Sequence, residues 1–147
     1  SGVDLVSLPM QRILPEVKSS SLLPMIIGKQ AAEKAGVFDA IYTDADGTVT
    51  EGTVFSLLWR RGMQLIGAPA ETVLPGTAQT LLVQRAEAAG YHYSEQRSTV
   101  AELQAAEEVI ITNSLFGCLP VKSIDGVAIA QCPGACFERC GRELFAE

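Results

Sequence analysis

An alternation constrains this chain more than any other feature. Short apolar runs suited to strands take turns with stretches of helical period, and glycine closes several of the boundaries. Val109-Ile110-Ile111 is a continuous apolar run of the kind that fills a central strand. Residues 3–14 mix apolar and polar positions in a strand-like way, interrupted by Pro9. Ser19-Ser20-Ser21 offers N-caps for a helix running to Ala35 and closed by Gly36. Phe38 to Thr43 is a strand, Asp44-Ala45-Asp46-Gly47 a turn and Thr48-Val49-Thr50 its return. Val54 to Trp59 and Met63 to Ile66 pair about Arg60-Arg61-Gly62. A helix from Thr77 to Ala89 buries Leu81, Leu82, Ala86 and Ala89. Tyr91 to Arg97 is a strand, and Val100 to Ala106 is a short helix begun by Ser98 or Thr99. Pro120 to Ala130 forms a hairpin about Asp125-Gly126, and a last helix covers Ala135 to Phe145. No repeat or low-complexity linker interrupts the order, so the expected class is mixed α/β.

The 147 residues suit one domain spanning 1–147, and 48% apolar with 19% charged residues excludes wholesale disorder. No uncharged apolar run approaches the roughly 20 residues that cross a bilayer, and no basic region precedes an apolar one at the start. The expected location is cytoplasmic, without a membrane partner. Eleven Lys and Arg against 17 Asp and Glu give −6, and only Arg60-Arg61 are adjacent, which argues against a nucleic-acid partner. Cys132, Cys136 and Cys140 are spaced for one helical stripe and read as buried small side chains. They lack the tight pairs of a metal or iron–sulfur site, so no metal is expected.

Four local features could carry chemistry. Lys18 stands between a strand and a helix, where desolvation can make an amine nucleophilic towards a carbonyl; on position alone it reads as a solvated loop lysine. Glu51, in Thr50-Glu51-Gly52, could accept from a protonated ring nitrogen or be a surface acid at a strand end. Leu74-Pro75-Gly76-Thr77 opens a helix whose free N–H groups and dipole suit an anion, although most helices begin without one. Thr112-Asn113-Ser114-Leu115 ends an apolar strand, where α/β ligands commonly bind.

Together, in order, these features resemble the fold-type IV pyridoxal-phosphate enzymes, the class IV aminotransferase family. It includes branched-chain and D-amino-acid aminotransferases and aminodeoxychorismate lyase. The likeness rests on VKSSSLLPMIIGKQAAEKAG, FDAIYTDADGTVTEG, LPGT and AAEEVIITNSLFGCLPVKSIDG. It implies the α/β pseudo-barrel of that family's C-terminal domain and pyridoxal 5'-phosphate as cofactor. By the resemblance, Lys18 links the cofactor and moves the α-proton, and Glu51 keeps the pyridine nitrogen protonated. Thr77 and Ala78, following Gly76, offer backbone amides to the phosphate. Ser114, beside Asn113, supplies a hydroxyl. Asn113-Ser114-Leu115 with Gly117 and Pro120-Val121 is most similar to the lyase, which would release pyruvate from 4-amino-4-deoxychorismate to give 4-aminobenzoate for folate synthesis. A transaminase is the alternative.

The chain departs from the pattern in two ways. Thr53-Val54-Phe55-Ser56 stands where the family carries small hydroxyl residues and an asparagine, and Ala78 replaces a usual threonine. The family's N-terminal domain has no counterpart, which makes a non-catalytic domain of this fold a further alternative. The expected partners are a small amino substrate, a separate N-terminal domain and a second copy in a homodimer. An apolar face around Lys18 and Glu51 should be covered by one of the latter two.

Overall fold

The computed structural model describes residues 2–10, 23–74 and 76–145. In chain order come β1 (Val3–Pro9), α1 (Leu23–Ala35), β2 (Asp39–Thr43), β3 (Val49–Gly52), β4 (Ser56–Arg61) and β5 (Gln64–Gly67). They are followed by α2 (Thr77–Ala88), β6 (His92–Glu95), α3 (Val100–Gln104), β7 (Glu108–Asn113), β8 (Gly117–Ile124) and β9 (Val127–Ala128). The strands form one sheet in the order β3-β2-β1-β8-β7-β4-β5-β6, with β9 added to β8. Strand β1 runs parallel to both β2 and β8, and β6 parallel to β5; the remaining pairs are antiparallel. Strands β3 and β4 stand far apart in that order, yet only Thr53-Val54-Phe55 joins them. So short a connection forces the sheet to curl into a half-barrel. Gly52 N–H closes the joint by donating to the Phe55 carbonyl over 2.9 Å.

Strand periodicity then divides the apolar residues. Leu57, Trp59, Val109 and Ile111 face the inside of the curl with Leu5, Ile41, Val121, Ile124 and Leu103. Leu58 and Ile110 face outward and meet Ala78, Leu82 and Ala86 of α2. That stripe is spaced by four residues, so Leu81 and Ala89, expected to be buried, flank it half-exposed. Helix α1 covers the β1–β2 face, and Gly28 permits the approach. A Cβ there would stand 2.5 Å from Thr53 Cγ2 and 2.7 Å from Tyr42 Oη. Helix α3 begins at Thr99, which forms a capping box with Glu102.

Several expectations are corrected. Arg60 belongs to β4 rather than to a turn and is buried, because the register places it opposite Glu108. Its Nε donates to Glu108 Oε1 at 2.5 Å, and its Nη atoms reach Glu107, Gln131 and the Gly62 carbonyl. Burial opposes its charge most strongly, but the Glu108 hydrogen bond together with the charges of Glu108 and Glu107 outweighs it and holds the guanidinium above its ordinary pKa. Val54 and Phe55 lie before β4, with Phe55 buried against Gly52. The Asp125-Gly126 hairpin forms, but β8 begins earlier, at Gly117, and pairs chiefly with β7.

The last helix is short. Its Phe137–Gly141 portion is a wide π-type turn, with Arg142 N–H donating to the Phe137 carbonyl over 2.9 Å. Glu108 explains the position of this segment, since its carboxylate also accepts from Cys136 N–H at 2.8 Å and from Phe137 N–H at 3.4 Å. Cys136 and Cys140 are buried there, whereas Cys132 precedes the helical residues and is only half-buried. Burial pushes the thiols of Cys118 and Cys136 up to about 12, so they pack as small hydrophobes. Among the described residues no helix is long and apolar enough to cross a membrane.

Candidate functional site

Helix α2 supplies the first wall. Gly76 is its N-cap, with extended backbone and no side chain to cap the free N–H groups of the first turn. Thr77 is exposed and Ala78 is buried against the sheet, so both can offer backbone amides without a side-chain competitor. Ser56 lies directly beneath. A Cβ on Gly76 would meet Ser56 Oγ at 2.9 Å.

The second wall is β3 and the turn after it. Glu51 is buried within the strand and is not the surface acid of the alternative reading. Its Oε1 accepts from Leu74 N–H at 3.3 Å, which joins this carboxylate to the loop entering α2. Thr53, two residues on, donates from Oγ1 to Asp39 Oδ1 at 2.8 Å, and Lys29 of α1 makes an ion pair with the same aspartate. Asp39 therefore ties α1 to the turn beside Glu51. Sequence reasoning missed this tie, because Asp39 reads there as an ordinary strand-initial acid.

The third wall is the β7–β8 turn. Asn113 Oδ1 accepts from Leu115 N–H at 3.0 Å and Phe116 N–H at 2.9 Å, an Asx-type turn closed by Gly117 at φ +74°. Asn113 Nδ2 donates to the Val54 carbonyl at 3.3 Å, drawing this turn against the one that follows Glu51. Asn113 is thus occupied in shaping the turn, while Ser114 at its tip is exposed. One residue before, Thr112 is buried at 1% exposure and its Oγ1 has no hydrogen-bond partner. The sequence assigned a role to Ser114 and named Thr112 and Ser56 only as members of their motifs.

Glu51, Gly76, Thr77, Ala78, Asn113 and Ser114 all sit on elements that meet at this end of the sheet. Lys18 lies outside the described residues. No group of three or more metal-ligating side chains occurs among the described residues.

Residues 2–124 match the family model for amino-transferase class IV, which takes in every element of the site. The chain belongs to the class IV aminotransferase family. Among its relatives in that family is a D-alanine aminotransferase of Bacillus licheniformis, 36% identical over 117 residues, covering 79% of this chain and 41% of the relative. An aminodeoxychorismate lyase of Bacillus subtilis is 26% identical over 125 residues, covering 82% of this chain and 43% of the relative. The branched-chain aminotransferase of Escherichia coli superposes with a TM-score of 0.86 at 22% identity, covering 97% of this chain and 50% of that one. The half-barrel is therefore a class IV aminotransferase fold. The chain spans about two fifths of the length of these curated relatives.

Proposed function

We propose that this chain is the cofactor-binding part of a pyridoxal-phosphate-dependent amino-acid aminotransferase. The observation that carries the reading is the Leu74 N–H to Glu51 Oε1 bond, which sets a buried carboxylate beside a helix N-terminus that no side chain caps. The groups present fit the cofactor: a carboxylate to accept from the ring nitrogen, main-chain N–H groups for the phosphate, and Thr112 as a buried hydroxyl still lacking a partner. When bound, the cofactor supplies an electron sink for bonds broken at a substrate's α-carbon.

The roles of the chain's own residues follow from that fit. Glu51 holds a proton on the ring nitrogen by charge pairing. Thr77 and Ala78 bind the phosphate through main-chain N–H groups, so the Ala78 side chain costs nothing there. Ser114 adds a hydroxyl donor. Lys18 links the cofactor and carries the α-proton. In this reading a separate domain and a two-fold copy complete the cleft and cover Val54 and Leu115, which stand exposed on the two turns beside it.

Amino transfer is favoured over lyase chemistry. Identity to the D-alanine aminotransferase is greater, and Asn113 in the lyase-like signature has a local reason, the turn it closes. Given D-alanine or a branched-chain amino acid with 2-oxoglutarate, the assembled enzyme is expected to form glutamate. Release of 4-aminobenzoate and pyruvate from aminodeoxychorismate, without transfer, would reverse the choice. Borohydride reduction after addition of pyridoxal phosphate should leave a label on the peptide holding Lys18. The Lys18→Ala protein should lose that label while keeping its circular dichroism spectrum. A specific label surviving in that variant would dismiss Lys18.

A further inference from the structure

Strands β4 and β5 carry two cross-strand pairs on the inner face of the curl, Trp59 with Ile66 and Arg61 with Gln64. Residues 96–99 cross in front of them and tie the two ends of the sheet together. Gln96 N–H donates to the Gly67 carbonyl at 3.0 Å, and Val49 N–H donates to the Ser98 carbonyl at 2.8 Å. Arg97 fixes the crossing through ion pairs with Asp44 at 2.9 Å and Asp46 at 3.6 Å. Between this crossing and the two pairs lies a cavity of about 230 Å³, lined also by Ser98 and by Glu102 of α3. Strand β4 runs from Ser56, beside Gly76, to Arg61, so the cavity opens at the opposite end of the strand from the cofactor site.

Two buried residues bring polar groups to it. Ser98 is 3% exposed and Trp59 is 1% exposed. Neither the Ser98 hydroxyl nor the Trp59 indole N–H has a hydrogen-bond partner among the described residues. Neither is sealed as Thr112 Oγ1 is, so both reach open space, and the cavity is the space they line. Buried polar groups of this kind cost stability until something answers them. The rim adds two opposite charges. Arg61 is exposed and makes no ion pair among the described residues. Glu102 Oε1 accepts from Thr99 N–H at 3.3 Å, while its Oε2 accepts from no described residue.

We propose that this cavity binds a small aliphatic α-amino acid as its zwitterion. The ligand carboxylate accepts from Arg61, Ser98 and Trp59, and the ligand ammonium donates to Glu102. Its side chain rests on Ile66 and the Trp59 ring. At about 30 Å³ for each water-sized group, the volume holds roughly eight heavy atoms, the size of valine. A simple carboxylate would meet Glu102 as a like charge, and a simple amine would meet Arg61 in the same way. Only a ligand carrying both charges answers the whole rim.

Trp59 is the chain's single tryptophan, so its fluorescence reports on this cavity. L-Valine titrated into the cofactor-free 147-residue chain should change that fluorescence saturably. Isovalerate, which lacks the ammonium, and isobutylamine, which lacks the carboxylate, should each bind about tenfold more weakly. Ser98→Ala should raise the valine Kd about fivefold and Arg61→Gln about tenfold. Glu102→Gln keeps the capping box with Thr99 and removes only the charge. It should weaken valine about tenfold and tighten isovalerate, a crossover that a merely structural role would not produce. No saturable signal with valine, equal affinity for valine and isovalerate, or wild-type valine affinity in both Arg61→Gln and Glu102→Gln would each overturn the proposal. The cofactor reading fails separately, by absence of the borohydride label at Lys18.

Discussion

Replacing Glu108 with alanine is expected to remove about 3–5 kcal/mol of folding stability, measured as the loss in urea-unfolding free energy. The carboxylate is 1% exposed and serves Arg60 Nε, Cys136 N–H and Phe137 N–H together. Its removal leaves the buried guanidinium with the half-exposed Glu107 as its remaining counter-charge and strands two main-chain donors, and the poorly compensated buried charge is the most damaging of these. Domains commonly have only about 5–15 kcal/mol in total, so the variant should be near its limit. Glu108→Gln keeps an acceptor and should lose less. A loss under about 1 kcal/mol for the alanine variant would mean that water replaces the carboxylate and that the clamp on the C-terminal segment is weak. The neighbourhood leaves little room for compensation, since a Cβ on Gly134 would stand 2.1 Å from Glu108 Oε2.

Replacing Glu51 with glutamine should slow exchange of the substrate α-proton by roughly 10²–10³-fold in cofactor-loaded enzyme, read by deuterium incorporation. Glutamine preserves size and can still accept from Leu74 N–H, so the loop entering α2 should stay in place. What disappears is the negative charge that favours a protonated ring nitrogen. Cofactor affinity should change far less than the exchange rate. An unchanged exchange rate would remove Glu51 from this role and leave it as a tie between β3 and α2.

The parts of this architecture that were legible in the sequence are those written by local chemistry. Gly76 before an alanine- and leucine-bearing stretch announces α2, and Val109-Ile110-Ile111 announces a strand buried on both faces. Ser98-Thr99 marks the start of a short helix, which the structure fixes at Thr99 through its capping box with Glu102. What stayed hidden depends on partners distant along the chain. Arg60 reads as a turn residue until Glu108, 48 positions later, is seen beside it. The C-terminal helix reads as regular until the same glutamate takes the Cys136 and Phe137 donors. At the site, residue order pointed to Glu51, Thr77 and Ser114, whereas Thr112 and Ser56 gain meaning only from cross-strand register. The tie from Lys29 through Asp39 to Thr53 is of the same kind.

The place of β1 in the sheet has a consequence for how the chain reaches this state. Val3 pairs with Val121, while Leu5 pairs with both Asp39 and Ile124. Strand β1 therefore fits between one neighbour made soon after it and another made 118 residues later. Before β8 is made, β1 can meet only β2 and β3, in a fragment whose β1 edge stays open, a surface prone to pairing with other chains. Nonlocal closure of this kind slows folding, because the long loop must be ordered before its contacts repay the entropy. The half-barrel is thus completed only once β8 is made, and the growing chain must keep β1 available until then.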